Sequence, residues 1–309
     1  MTGLNPTFSV IVPLYNKSAY VIEAIASVQA QTYPANEIII VDDGSTDGGA
    51  ERVQTISDSR IRLIRQPNAG VSVARNRGIE VASGDFVVFL DADDRYLPGF
   101  LSAIVCLANR FPTAIMYATG YYRFREDGTR HITPIPLVLR GEGGLVKDFY
   151  AAWCEAPFLY TVSLAVRREA FADGELQFPP GERLGEDQDL WFRIAERHPV
   201  AYTESPLVEY RLDVQDSATQ VYRVTDVLPC YRRLGERLAA GRVPHTLRRS
   251  ARKLLASHLL NVARSRLGEG DFRGGWYLLA DKRASGNFLY RLRTVGILCM
   301  TALGFGRVR

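Results

Sequence analysis

Residues 85–94 read DFVVFLDADD, an unbroken apolar run that ends abruptly in carboxylates. Three earlier stretches have the same form: 8–16 FSVIVPLYN, 38–43 IIIVDD and 61–66 IRLIRQ. Continuous Val, Ile and Phe, rather than strict alternation with polar residues, is the pattern of strands covered on both faces. Helical periodicity fills the gaps. Ser18 to Gln31 places Val21, Ile22, Ile25 and Val28 on one side, a second helix follows Ser45, and a third spans Ser72 to Val81. Strand and helix in alternation predict a mainly parallel α/β sheet flanked by helices. Such sheets bind ligands beyond the carboxyl ends of their strands. The polar residues collect there: Tyr15 and Asn16, Asp42 and Asp43, Gln66 to Gly70, and Asp91 to Asp94.

From 113 to 215 the strands are shorter, over Ala114 to Thr119, Tyr160 to Val166, Ala201 to Thr203 and Leu207 to Arg211. One helix interrupts them, Asp187 to Arg197, with Leu190, Trp191, Ile194 and Ala195 on its apolar side. After about 216 the pattern is helical and basic, with a helical hairpin turning at Gly268 to Asp271. The expected organisation is a domain over 1–215, divided into 1–112 and 113–215, and a helical region over 216–309. Charge follows this division. The net +4 combines 17 basic and 4 acidic residues from 229 onward with 21 basic and 30 acidic before it.

Composition excludes several classes. At 309 residues, 47% hydrophobic and 23% charged, the chain is neither disordered throughout nor a coiled-coil rod nor a small stapled scaffold. Cys106, Cys154, Cys230 and Cys299 lack CxxC or His-linked spacing, which points to a reducing cytoplasm. The N-terminus has no signal-peptide pattern. The uncharged segment Thr294 to Gly306 is shorter than the ~20 residues that cross a bilayer. No nucleic-acid-binding motif accompanies the basic tail.

The carboxylates carry the chemistry. Along an extended chain Asp91 and Asp93, flanking Ala92, point to one side. Two hard oxygen donors suit Mg2+ or Mn2+ shared with a phosphate. The same residues would equally suit an acidic turn before the next helix. In the second cluster, Ser45 or Asp47 fits as a helix cap, and capping leaves Asp42 and Asp43 unexplained. A carboxylate there suits a base N–H.

The ordered set SVIVPLYN, QTYP, EIIIVDDGSTD, NAGVSVARNRGIEVASGDFVVFLDADD and GEDQDLWFR, across residues 7 to 211, resembles the inverting family 2 glycosyltransferases. The resemblance implies a GT-A fold, a nucleotide-sugar donor and a divalent metal. It places Tyr15 as the aromatic stacked on the base and Pro13 where the first strand meets the base. Asp43 becomes the carboxylate reading the base, with Asp42 beside it, and Arg75 the cation near base and diphosphate. Asp91 and Asp93 become the DxD pair, Asp93 the direct metal ligand, and Asp187 the catalytic base with Glu186 adjacent. Inverting transfer is one displacement, so it needs a base opposite a stabilised leaving group and no enzymic nucleophile. One position departs from the family pattern: Asp213 stands where many members have His after Tyr-Arg, which leaves Arg211 as a diphosphate candidate.

The implied activity is transfer from a UDP-sugar to a hydroxyl acceptor, a glycan or lipid-linked chain in bacterial surface polysaccharide, lipopolysaccharide, glycolipid or glycoprotein assembly. A sugar-nucleotide nucleotidyltransferase would want a Gly-rich basic loop after the first strand, where PLYNKSAY stands. A non-catalytic sugar-nucleotide-binding protein would not need Asp43, Asp93 and Asp187 together. Aromatic and aliphatic residues interleaved with Arg over 288–309 suit an amphipathic helix on an anionic membrane, at its inner face. Trp153, Cys154 and Glu155 are pocket candidates.

Overall fold

The computed structural model describes residues 5–141, 143–214 and 224–302, the side chains of 297–302 excepted. Residues 303–309 of the expected interfacial helix fall outside them.

Among the described residues all strands, numbered β1 to β10 in chain order, lie in one mixed sheet ordered β3-β2-β1-β4-β9-β6-β10-β5. Its parallel half is the one read from apolar runs: β1 (Phe8–Leu14), β2 (Glu37–Asp42), β3 (Ile61–Arg65) and β4 (Phe86–Phe89). Every residue of β1 is buried, since β1 lies between β2 and β4. Edge strand β3 instead leaves Arg62 and Arg65 exposed, charges that discourage a further strand from adding. Helices α1 (Val21–Gln29), α2 (Gly49–Gln54) and α3 (Val71–Val81) make the crossovers, and α4 (Phe100–Arg110) follows the acidic turn. Gly84 is required before β4 because a Cβ there would lie 2.8 Å from the backbone nitrogen of Ser9.

The other half turns antiparallel where β9 (Leu164–Arg167) inserts between β4 and β6 (Met116–Phe124). The strand expected over 160–166 begins as a 3-10 turn, Thr161–Ser163, and only then extends. The two strands expected at 201–203 and 207–211 are one, β10 (Val200–Arg211), with register breaks against β6 after Thr203 and Pro206. Proline has no N–H for the ladder, so a bulge at Pro206 lets the strand continue. A two-residue strand that periodicity does not reveal, β5 (Arg95–Tyr96), pairs with β10 directly after the acidic turn. Short β7 (Arg130–Ile132) pairs with β6, and β8 (Gly144–Leu145) with β10.

By its contacts the chain forms two units. The first holds 1–147, 156–182 and 190–215, including the whole sheet; the second gathers 148–155, 183–189 and 216–309. Thus α5 (Phe149–Glu155) counts with the basic helices, and α6 (Glu186–Arg197) starts in the second unit and continues in the first. The second unit also holds α7 (Pro229–Ala239), α8 (Arg248–Gly268), α9 (Phe272–Ala280) and α10 (Phe288–Ala302). The hairpin α8–α9 turns where expected. Asp271 caps α9 by accepting from the Gly274 N–H at 2.9 Å, and Gly275 lets α9 approach Leu267 closely.

Candidate active site

The carboxyl ends of β1, β2 and β4 converge because these strands are parallel neighbours. Pro13 is buried in β1 opposite Val41, two residues beyond the last pairing of β1 with β4. A missing N–H costs least at such a place. Tyr15, the residue after β1, is 49% exposed. The next residue, Asn16, takes a left-handed φ of 50° and ties the two loops: its carboxamide oxygen accepts from Thr46 N at 2.8 Å, and its own N–H donates to Ser45 Oγ at 3.1 Å.

Asp42 and Asp43 are both buried, with different partners. Asp42 accepts from the Ser45 N–H at 3.0 Å, closing its own turn. Asp43 reaches across to the loop after β3. One of its oxygens accepts from Gln66 Nε2 at 2.8 Å and Ala69 N at 2.9 Å, and the other from Gly70 N at 2.8 Å. Its carboxylate therefore fastens the loop that leads into α3, and Gly70, at φ 92°, is the residue before that helix.

The tripeptide Asp91-Ala92-Asp93 is not extended as the i, i+2 argument supposes. It lies in a turn closed by Asp94 N to Asp91 O at 3.0 Å, which ends β4 and feeds β5. Arg75, on α3 and only 5% exposed, donates to Asp91 Oδ1 at 2.7 Å, and its guanidinium lies over the Phe178 ring. Asp93 Oδ2 is 3.2 Å from Lys17 Nζ. Burial and the neighbouring Asp91 push the Asp93 carboxyl up against the opposing pull of Lys17, so the two aspartates feel one another. Asp94, the third in the row, is buried, and burial with the nearby Asp93 and Asp91 charges raises it well above the usual carboxylate range.

Among the described residues no group of three or more His, Cys, Asp and Glu is placed to hold a metal ion. Two hard carboxylates, with the remaining positions filled by phosphate and water, are nevertheless a donor set that Mg2+ or Mn2+ accepts.

Two further positions have partners within the scaffold. Arg211 is committed to the scaffold: its Nε donates to Asp93 O at 2.9 Å, its backbone N–H to Asp94 Oδ1 at 2.8 Å, and its guanidinium also pairs with Glu23. It lies between the rings of Tyr20 and Phe124. Arg211 thus holds the acidic turn through its backbone N–H and its guanidinium. Asp213, at the family's His position, forms an ion pair with Arg125.

Asp187 and Glu186 open α6 and belong to the second unit, whereas Tyr15, Asp43, Arg75, Asp91 and Asp93 belong to the first. Glu186 is buried and Asp187 half-buried, with the Asp187 Oδ1 accepting from Gln188 N at 2.6 Å. Gly185, at φ 81°, packs on Cys230, where any Cβ would fall 2.8 Å from the sulfur. Asp189 is a residue the sequence reading passes over. Buried, it takes Arg233 Nε at 2.9 Å and Arg237 at 3.6 Å, pinning the start of α6 to α7. Lys17 is the other omission; its only sequence signal is its place in the loop after β1. Of the pocket candidates, Trp153 stacks on Phe149 within α5, and burial raises the Cys154 thiol to about 11.

Parallel strand ends carrying an aromatic, buried carboxylates and an acidic turn flanked by cations stand on a mixed sheet of GT-A type. The family model "Glycosyl transferase family 2" matches residues 9–174, and the chain belongs to that family. Over 216 residues it is 32% identical to the Bacillus subtilis protein named "Putative teichuronic acid biosynthesis glycosyltransferase TuaG", covering 69% of this chain and 81% of that one. Over 122 residues it is 42% identical to the uncharacterized glycosyltransferase YibD of Escherichia coli, covering 39% of this chain and only 36% of YibD. Among solved structures, S. aureus TarS 1–349 in complex with UDP-GlcNAc superposes with a TM-score of 0.67 at 18% identity, over 95% of this chain and 81% of that one. The mannosyltransferase PcManGT from Pyrobaculum calidifontis, in complex with GDP-Man and Mn2+, gives 0.62 at 21% identity, over 96% and 80%. At such identities the two structures establish the shared GT-A fold.

Proposed function

We propose that this chain is an inverting glycosyltransferase that moves a sugar from a UDP-sugar to a hydroxyl of a glycan or lipid-linked acceptor in bacterial surface-polymer assembly. The observation that carries the reading is the acidic turn at the end of β4, with Asp91 on Arg75 and Asp93 on Lys17, together with the exposed Tyr15 at the end of the neighbouring β1. UDP-GlcNAc in TarS supports the uridine base, Mn2+ in PcManGT supports a divalent ion, and the name of TuaG supports a surface-polymer acceptor.

In this reading Tyr15 stacks on the base and Asp43 shapes the loop that faces it, with Pro13 and Asp42 holding the two strand ends. Asp93 and Asp91 would hold a divalent ion, Mn2+ or Mg2+, which would supply positive charge where the diphosphate departs. Arg75 adds fixed charge beside it, because its burial and contact with Phe178 keep it in place. Asp187 takes the acceptor proton as the bond to the anomeric carbon forms.

The basic second unit seats the enzyme on the anionic cytoplasmic face of a membrane. Phe272, Trp276 and Tyr277 of α9 and Phe288, Leu289 and Leu292 of α10 are at least half exposed, with Arg273, Lys282 and Arg293 also exposed. No described helix is long and apolar enough to cross the bilayer.

The test is donor turnover with a panel of UDP-sugars and Mn2+, for wild type and Asp187→Asn. The variant is expected to bind UDP normally and lose at least ~100-fold in turnover, the range that a general base contributes. Absence of donor binding and hydrolysis across the panel, or an unimpaired Asp187→Asn, overturns the proposal.

A further inference from the structure

Lys17 is held as a fixed base with a movable head. Its carbonyl accepts from Tyr20 N and Val21 N, both at 3.0 Å, so it closes the turn that leads into α1. The residues on either side are pinned as well, Asn16 to Thr46 and Ser18 N to Asp47 Oδ2 at 2.7 Å. The side chain, only 19% exposed, lies over the acidic turn with its ammonium 3.2 Å from Asp93 Oδ2. The two carboxylates therefore each face one cation, of different kinds. Arg75 is buried, lies over a ring and makes a 2.7 Å bond, so it stays with Asp91. Lys17 is a compact charge on a flexible four-carbon stem, and it can leave.

We propose that Lys17 is an exchangeable counter-ion that couples metal entry to diphosphate entry. This rests on the reading of Asp93 as the metal-binding carboxylate. A divalent ion and an ammonium cannot both take the same Asp93 oxygen without strong repulsion. Without nucleotide, Lys17 neutralises Asp93 and competes with the metal. When a nucleoside diphosphate arrives, its phosphate oxygens offer Lys17 a new partner within reach, and Asp93 is released. Lys17 is thus a positioning residue of the site with two partners in turn. Linkage makes the effect reciprocal: the factor by which bound nucleotide raises metal affinity is the factor by which bound metal raises nucleotide affinity.

The experiment measures Mn2+ binding by the loss of the free-ion EPR signal, without and with UDP, and UDP binding without metal by calorimetry. Wild type, Lys17→Met, Lys17→Gln and Lys17→Arg are compared, and thermal melts verify folding. Both neutral variants are expected to bind Mn2+ alone at least ~5-fold more tightly than wild type, and metal-free UDP at least ~5-fold more weakly, within the usual span of coupling between sites. Lys17→Arg keeps the charge but not the compact, mobile head, so it should fall between wild type and the neutral variants in both. Opposite signs are the diagnostic, because a merely structural lysine would weaken both ligands together. If neutral variants bind nucleotide-free Mn2+ no more tightly than wild type while wild type binds it with UDP, the role of Lys17 is refuted and the metal site stands. If no protein binds Mn2+ under either condition, the metal reading falls and the proposal with it.

Discussion

Replacing Asp43 by Asn removes a charge and one acceptor while hardly changing volume, and the structure determines what that should cost. Three donors converge on the carboxylate, two backbone N–H groups and the Gln66 amide, all within 2.9 Å. An amide keeps a single acceptor oxygen, so at least one partly buried donor is left facing an NH2 group. A stranded donor costs up to about 1–3 kcal/mol, and the remaining bonds lose the advantage of a charged acceptor. The sum is about 3 kcal/mol. At roughly 2–4 °C per kcal/mol for a unit of this size, the melting temperature should fall by roughly 6–12 °C. Asp42→Asn is the internal control, because Asp42 takes one bond, from Ser45 N, that an amide oxygen can keep; its cost should be about 1 kcal/mol or less. The assay is differential scanning fluorimetry of both variants, with urea unfolding to convert the shift. UDP affinity should fall along with stability in Asp43→Asn, because the loop from Gln66 to Gly70 borders the strand ends. A melting temperature within about 2 °C of wild type would refute the idea that Asp43 latches this loop.

Two further outcomes follow from the second unit. His258 is stacked on Tyr231 at 3.8 Å and accepts from Leu228 N at 3.1 Å, and burial lowers it from the ordinary 6.5 to about 4. Below pH 6.5 the unfolded chain binds a proton that the folded chain refuses, so this contribution is complete above that pH and is lost as pH falls toward about 4. The loss reaches at most ~3 kcal/mol, and His258→Gln should flatten urea-unfolding stability between those limits; an unchanged pH profile would exclude His258 as its source. Wild type should float with phosphatidylglycerol vesicles at low salt and release them as the Debye length shrinks toward ~3 Å near 1 M salt. Serine at Phe272, Trp276 and Leu289 together should abolish flotation, and retention of wild-type binding would remove this face from the docking surface.

How far the site was legible depends on how local its causes are. Each motif residue in the first unit stands at or beside the strand end or helix assigned to it, because a turn and a run of apolar residues are neighbours in sequence. The side-chain assignments of Arg211 and the shape of the Asp91–Asp93 peptide were not legible. Arg211 looks like a ligand for phosphate in a list of residues, and is in fact buried between two rings with its donors on Asp93 and Glu23. The acidic peptide is a turn since β5 must reverse at once to pair with Val208 and Glu209, a constraint that lies more than a hundred residues away.

By itself the sequence determined the parallel half of the sheet, the positions of its polar strand ends and the turn of the α8–α9 hairpin. These depend on burial of apolar runs and on residue periodicity, which are properties of short stretches. Tertiary structure alone decided the pairings: Lys17 on Asp93, Arg75 on Asp91, the loop of residues 66–70 on Asp43, and Asp189 on Arg233 and Arg237. It also decided that residues 148–155 and 183–189 join the basic helices. A charge acquires a chemical role from what lies within a few ångströms of it, and those neighbours are brought together only when distant segments pack.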